Sequence, residues 1–182
     1  MQRIGRGFIG ALIGCLTVLA VAATAHCGDT YAVAGDVSTV LIGAAAGGVP
    51  LLLGDREGMV QLVKSAALDV AATMALKYTI KERRPDGSDD HSFPSAHSSV
   101  AFTSAEFLRK RYGWEYGIPA YGVASFVAVS RVAAHKHYAA DVLAGAAIGI
   151  ASSYLFTTPN LRMNLQTEVA PGYYGVRLTK AW

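Results

Sequence analysis

Apolar stretches separated by short polar punctuation run along most of this chain. After an apolar N-terminal stretch, Phe8 to Ala22, come Val37 to Leu53, Met59 to Tyr78, Ser95 to Leu108, Ile118 to Val132 and Val142 to Phe156. Asp36 bounds the first of these five, and Gly54-Asp55-Arg56 closes it. Met59 to Tyr78 has helical period but carries Lys64 and Asp69, and Ser95 to Leu108 is moderately polar. Pro85, Pro94, Pro119 and Pro159 stand at or beside the predicted ends of elements, where proline is tolerated. Short turns join antiparallel neighbours, so the pattern predicts an all-α fold. This is a single helical bundle of about five to six apolar helices with a short extended C-terminal tail. In that tail Tyr174, Val176 and Leu178 alternate with Gly175, Arg177 and Thr179, which is strand periodicity without an obvious partner.

The ends divide the chain into three parts. Residues 1–25 read as a signal peptide or a first membrane helix. Arg3 and Arg6 precede the apolar run, and Ala23-Thr24-Ala25 has the small-x-small form of a cleavage site. Leu12-Ile13-Gly14-Cys15 also resembles a lipoprotein processing site, but too much apolar sequence follows it. Residues 26–158 form the helical-bundle domain and 159–182 the tail. Cleavage after Ala25 would leave Cys27 as the one thiol, which excludes an internal disulfide, and no cysteine–histidine spacing suggests zinc.

Composition agrees with apolar surroundings. The 182 residues are 52% hydrophobic and 16% charged, against about a quarter charged in ordinary soluble domains. Much of the apolar content is Ala and Gly, suited to closely packed helices. A net charge of +3 with no long basic run argues against nucleic acid. If Arg3 and Arg6 stay inside a membrane, so do Asp55-Arg56-Glu57 and the Arg109-Lys110-Arg111 cluster, as the positive-inside rule requires. The 77–95 and 131–141 loops then meet on the outer face.

Three stretches on those loops carry candidate chemistry. In the first, Lys77 and Arg84 stand seven residues apart before Pro85 and would share a helix face, making a clamp for phosphate. Taken alone, it is the solvated basic end of a helix. The second, Phe93-Pro94-Ser95-Ala96-His97, predicts a helix start with Ser95 as N-cap, and such starts bind anions. The third holds Ser130, Arg131, His137 and Asp141. On a helix beginning near His137, Asp141 lies one turn on and would fix the imidazole tautomer, leaving the other nitrogen free to attack. A structural His–Asp pair is the plain alternative. Together the three stretches supply a nucleophile, a general acid and cations for attack on phosphorus, without the carboxylates of a two-metal site.

These motifs resemble the three-part signature of the type 2 phosphatidic acid phosphatase family, which shares its site with class A acid phosphatases and vanadium haloperoxidases. Lys77, Arg84 and Pro85 match its first part, Pro94, Ser95 and His97 its second, and Ser130, Arg131, His137 and Asp141 its third. Ala96 departs, standing where the family usually has Gly. The resemblance implies a catalytic set of His137 as nucleophile, Asp141 as its orienting partner and His97 as the acid. Lys77, Arg84, Ser95, Ala96 and Arg131 would bind the phosphate, with no metal and no cofactor. His91 and His135 have no counterpart in that signature; His91 reads as a solvated loop residue and His135 as a pocket-rim residue.

The family holds membrane enzymes acting on lipid phosphates and soluble ones acting broadly. Six apolar segments favour an inner-membrane enzyme with its site toward the periplasm, acting on a lipid phosphate or pyrophosphate monoester amid membrane lipids. No obligate protein partner is expected. Undecaprenyl pyrophosphate, phosphatidylglycerophosphate, phosphatidic acid and lipid A phosphates all suit the motifs. The alternatives are a soluble periplasmic non-specific acid phosphatase, vanadium-dependent halide oxidation, and a catalytically weak lipid-binding membrane protein.

Overall fold

A computed structural model describes residues 28–160, 162–170 and 173–181; the N-terminal segment 1–25 lies outside the described residues. The described chain runs α1 Gly28–Leu53, α2 Arg56–Thr79, α3 Ala96–Tyr112, α4 Trp114–Ala133, α5 Ala139–Phe156, β1 Arg162–Ala170 and β2 Tyr173–Ala181. Each of the five apolar stretches is a helix. Helix α1 begins well before Val37, so Asp36, expected as a boundary, lies inside it. Pro119 likewise sits inside α4 rather than at its start. Gly54 and Gly113 make the two sharp turns, at φ 63° and 96°, conformations that glycine adopts without steric cost.

Helix α3 is the centre of the bundle, and each of the other four helices packs against it. On one side α1, α3 and α4 enclose an apolar core of Ile42, Ala46, Phe107, Leu108, Val123 and Val127. On the other side, where α2, α3 and α5 meet, the interior is polar. Gln61, Ser65, Asp69 and Thr73 recur every fourth residue and form the buried stripe of α2. Ser99 donates to Asp69 (3.1 Å) and hydrogen-bonds Thr73 (3.1 Å), tying α3 to this stripe.

Helix α5 closes the seam with Gly145 and Gly149, four residues apart. A Cβ on Gly145 would collide with the Ser95 carbonyl and approach the Ser99 amide at 3.2 Å. One on Gly149 would meet the Ser99 carbonyl and lie 2.8 Å from the Thr103 amide. The backbones of α3 and α5 therefore touch, a mode of packing that small residues permit in membrane helices.

The polarity of the bundle is inverted. Leu52 is 78% exposed, Val40 71% and Leu143 70%, whereas Asp69 and Glu106 are each 1% exposed. Apolar side chains on this scale face lipid rather than water. Three helices are long and apolar enough to cross a membrane, at Thr30–Leu53, Arg56–Thr79 and Ala139–Phe156. The protein is a membrane protein.

At the end formed by the α1–α2 and α3–α4 turns, a buried ion pair locks the elements. Asp55 caps α2 by accepting from the Gly58 amide (3.0 Å). It also accepts from Arg111 Nε (2.8 Å) and Nη2 (2.7 Å) and from the Tyr112 hydroxyl (2.9 Å). Burial alone would raise the Asp55 pKa, but Arg111, the Gly58 amide and Tyr112 outweigh it and hold it at about 2. The Asp55–Glu57 and Arg109–Arg111 segments, expected on one side, thus share one end of the bundle, where Asp55 and Arg111 pair. The tail was expected to be extended, with strand periodicity in its last part. It is an antiparallel hairpin, with Arg162 opposite Ala181 and Ala170 opposite Tyr173, in which each strand satisfies the other's backbone.

Two glycine substitutions test the α3–α5 contact. Gly145→Ala should cost about 1–3 kcal/mol of stability through overpacking. Gly43→Ala, on α1 with nothing within 4 Å of the new methyl, should be neutral or stabilise by up to about 1 kcal/mol. Thermal melts of the detergent-solubilised protein read the difference, and equal melting points would refute the close approach.

Candidate active site

The 80–95 and 134–138 segments meet at the end of the bundle opposite Asp55. The Asp86 amide donates to the His135 carbonyl (3.1 Å), and the Ser95 amide donates to the Asp141 carbonyl (3.0 Å). Lys136 pairs with Asp86 at 2.7 Å. His135 takes a left-handed conformation (φ 54°) in the turn that delivers His137, and its side chain is exposed at the rim.

His137 precedes α5 instead of lying on it; Tyr138 is the N-cap and the helix opens at Ala139. The His137–Asp141 contact therefore arises from the turn into the helix. His137 Nδ1 lies 3.6 Å from Asp141 Oδ2, too long for a hydrogen bond. Asp141 Oδ2 instead accepts from the Ser92 hydroxyl (2.5 Å) and the Tyr138 amide (2.9 Å). The first bond is one that the motifs did not reveal, because Ser92 is 49 residues away in sequence. The second caps α5, so the carboxylate is held whether or not the imidazole binds it. Burial lowers the His137 pKa to about 4, helped by the charges of Arg84 and Lys77 and opposed by Asp141. The ring is thus neutral near pH 7 and can act as a nucleophile.

Ser95 occupies the predicted N-cap position of α3, yet its hydroxyl makes no cap bond. Ser95 Oγ, Arg131 Nε and His137 Nδ1 are buried without a hydrogen-bond partner. Buried polar groups are normally paired, and open donors at the start of α3 and in the last turn of α4 suit an anion. Ala96 is the first residue of the helix, and it is not among the positive-φ residues, so its methyl is accommodated there.

The cations differ from the simple clamp expected. Helix α2 ends at Thr79, so Arg84 does not share a helical face with Lys77. Arg84 is carried by the following loop, where its Nε pairs with Asp89 at 2.8 Å. The two charges still converge, since both act on His137. Lys77 Nζ donates to the carbonyls of His91 (2.7 Å) and Pro94 (2.9 Å), tying α2 to the loop ahead of Ser95. His91 is correspondingly half-buried and sets its ring edge against Tyr78, rather than being a solvated loop residue. Arg131 is buried and donates through Nη1 to Asp36 of α1, and His97 Nε2 lies 3.0 Å from the same Asp36 oxygen. Asp36 had no signal in the motifs beyond its charge.

Fold and geometry together define a membrane-protein helical bundle with two histidines, Lys77, Arg84 and Arg131 gathered at one end. The PAP2 superfamily model matches residues 85–162, a span that includes Ser95, His97, Arg131, His137 and Asp141 and begins just after Arg84. The chain is 39% identical over 104 residues to the lipid A 1-phosphatase of Porphyromonas gingivalis, covering 55% of this chain and 22% of that protein. It is 27% identical over 154 residues to the lipid A 4'-phosphatase of Helicobacter pylori, covering 75% of this chain and 78% of that one. This chain thus spans about a fifth of the length of the first relative and most of the second. The crystal structure of Aquifex aeolicus LpxE shares the fold, with a TM-score of 0.55 and 21% identity over 77% of this chain and 92% of that one. The part of the chain that carries Ser95, His97, Arg131, His137 and Asp141 is thus similar to the PAP2 superfamily.

The depressed pKa of His137 has a direct test. Its imidazole NMR signals should stay constant from pH 8 to about 5.5, where an ordinary histidine titrates near 6.5. A midpoint near 6.5 for His137 would contradict the buried, cation-flanked setting.

Proposed function

We propose that the protein is a lipid phosphate phosphatase that works through a phosphohistidine on His137. The observation that carries this reading is the neutral, buried His137 beside Asp141, facing a cation-rich α3 start with an unpaired Ser95 hydroxyl. His137 Nε2 attacks phosphorus, with Asp141 on the Nδ1 side. The 3.6 Å separation from Asp141 shortens when substrate binds, as catalytic hydrogen bonds of free enzymes commonly do. His97 protonates the leaving oxygen, and water then cleaves the N–P bond. Lys77, Arg84, Ser95, Arg131 and the amides at Ala96 hold the phosphoryl oxygens. No step asks for a metal or cofactor.

The apolar exterior supports a substrate presented from the bilayer, and both named relatives act on lipid A phosphates. A lipid A phosphate is therefore the preferred substrate among the lipids considered. The Arg109–Arg111 cluster lies at the end away from the site, which supports an inner-membrane orientation with the site toward the periplasm. Detergent should be required for extraction; release by carbonate alone would instead favour a soluble periplasmic phosphatase.

Purified protein should release phosphate from lipid A in preference to undecaprenyl pyrophosphate, phosphatidylglycerophosphate and phosphatidic acid. Turnover should survive EDTA, fall with vanadate, and drop by several orders of magnitude in His137→Ala. Full activity in that variant would refute the nucleophile. Ala96→Gly should change the rate less than about tenfold, since the helix start already admits the methyl.

A further inference from the structure

Asp36 lies on α1, far in sequence from the three stretches that carry the site, yet it touches two of their residues. One oxygen, Oδ1, lies 3.0 Å from His97 Nε2 and also accepts from Arg131 Nη1. The neighbouring Gly35 explains the reach. A Cβ there would collide with the Ser130 hydroxyl and lie 3.6 Å from Arg131 Nη1, so the α1 backbone rests directly on α4 beside Arg131. Asp36 is half-exposed, so this contact borders the open side of the site.

The chemistry gives the contact a purpose. An acid must hold its proton when the ester arrives. The charged groups that act on His97 are Arg131 of α4, Arg84 of the loop, Lys77 of α2 and Asp36 of α1. Burial lowers the His97 pKa below the usual histidine value, the three cations lower it further, and Asp36 is the acidic group set against them. We infer that Asp36 is a positioning residue that favours the protonated form of His97 and aims it at the leaving oxygen, an inference that rests on the phosphatase reading.

The site then holds two histidine–carboxylate pairs in complementary roles. Asp141 stands at Nδ1 of His137, leaving Nε2 to attack. Asp36 takes Nε2–H of His97, leaving Nδ1–H to be given. As the His137 N–P bond forms, the P–O bond to the leaving group breaks, its electron pair stays on oxygen, and the His97 proton goes to that oxygen. In the second step neutral His97 takes a proton from the water that attacks phosphorus, and the N–P bond breaks. Asp36 stays a carboxylate throughout.

Two esters separate this role from a structural one, because a good leaving group needs no acid. With the full chain in detergent, Asp36→Asn should lower kcat on dodecyl phosphate by at least about tenfold, within the range that general acids contribute. On p-nitrophenyl phosphate the loss should be under about threefold. The basic limb of the dodecyl phosphate pH profile should move to lower pH, Asp36→Glu should recover part of the rate, and adding His97→Ala to Asp36→Asn should cost little more. Equal losses on both esters, the signature of a displaced Arg131 or a disturbed fold, would overturn the inference, as would no loss on either. Wild-type protein that cleaves neither these esters nor lipid A would sink the phosphatase reading instead. His97 titration followed by NMR then decides for Asp36. A midpoint lower in Asp36→Asn than in wild type supports the pairing, and identical midpoints overturn it.

Discussion

The contact between the backbones of α3 and α5 is the constraint on which the site depends. Gly145 and Gly149 let α5 lie against the first two turns of α3, and the Ser95 amide then reaches the Asp141 carbonyl at 3.0 Å. Two helix starts are thereby set side by side. One carries the unpartnered Ser95 hydroxyl, and the other presents His137 just ahead of Asp141. A side chain at either glycine would wedge these starts apart. Because α3 also contacts the remaining helices, the displacement would spread through the bundle rather than stay local.

The bundle solves a second problem with the same helices. Its polar groups are gathered inward, on the α2 stripe from Gln61 to Thr73, while valines and leucines cover the outside. In a bilayer, packing between helices gains little from hydrophobicity, since lipid tails are as apolar as Leu. Close backbone contact, interhelical hydrogen bonds such as Ser99 to Asp69, and buried ion pairs such as Asp55–Arg111 supply it instead. The stripe continues one turn further to Lys77, which holds the 91–94 loop ahead of Ser95. A candidate membrane span thus also anchors the loop that leads into α3.

Much of this was legible in the residues. Five apolar stretches gave five helices, and turn lengths with charge placement brought the 77–95 and 131–141 segments to one end. Lys77, Arg84, Ser95, His97, Arg131, His137 and Asp141 carried enough spacing to resemble one family. Local geometry was less legible. The reach of Arg84 rested on a helix that stops at Thr79, and the His137–Asp141 pair on a helix that starts at Ala139. In both, a loop does what helical spacing was expected to do. The tail hairpin escaped because pairing depends on two runs meeting, and period-2 alternation in one run does not name its partner.

The sequence by itself determined which segments are helices, which residues can do chemistry and, through motif spacing, the family they resemble. These follow from local periodicity and from residue types close together along the chain. Only the tertiary structure decided that the moderately polar α3 is the centre of the bundle. It alone revealed that Ser92 holds Asp141 and that Asp36 joins His97 to Arg131. Those contacts span 49, 61 and 95 residues, and nothing in a spacing rule reaches so far. They exist because glycines at 35, 145 and 149 let helices approach closely, and close approach is a property of packed helices rather than of any one segment.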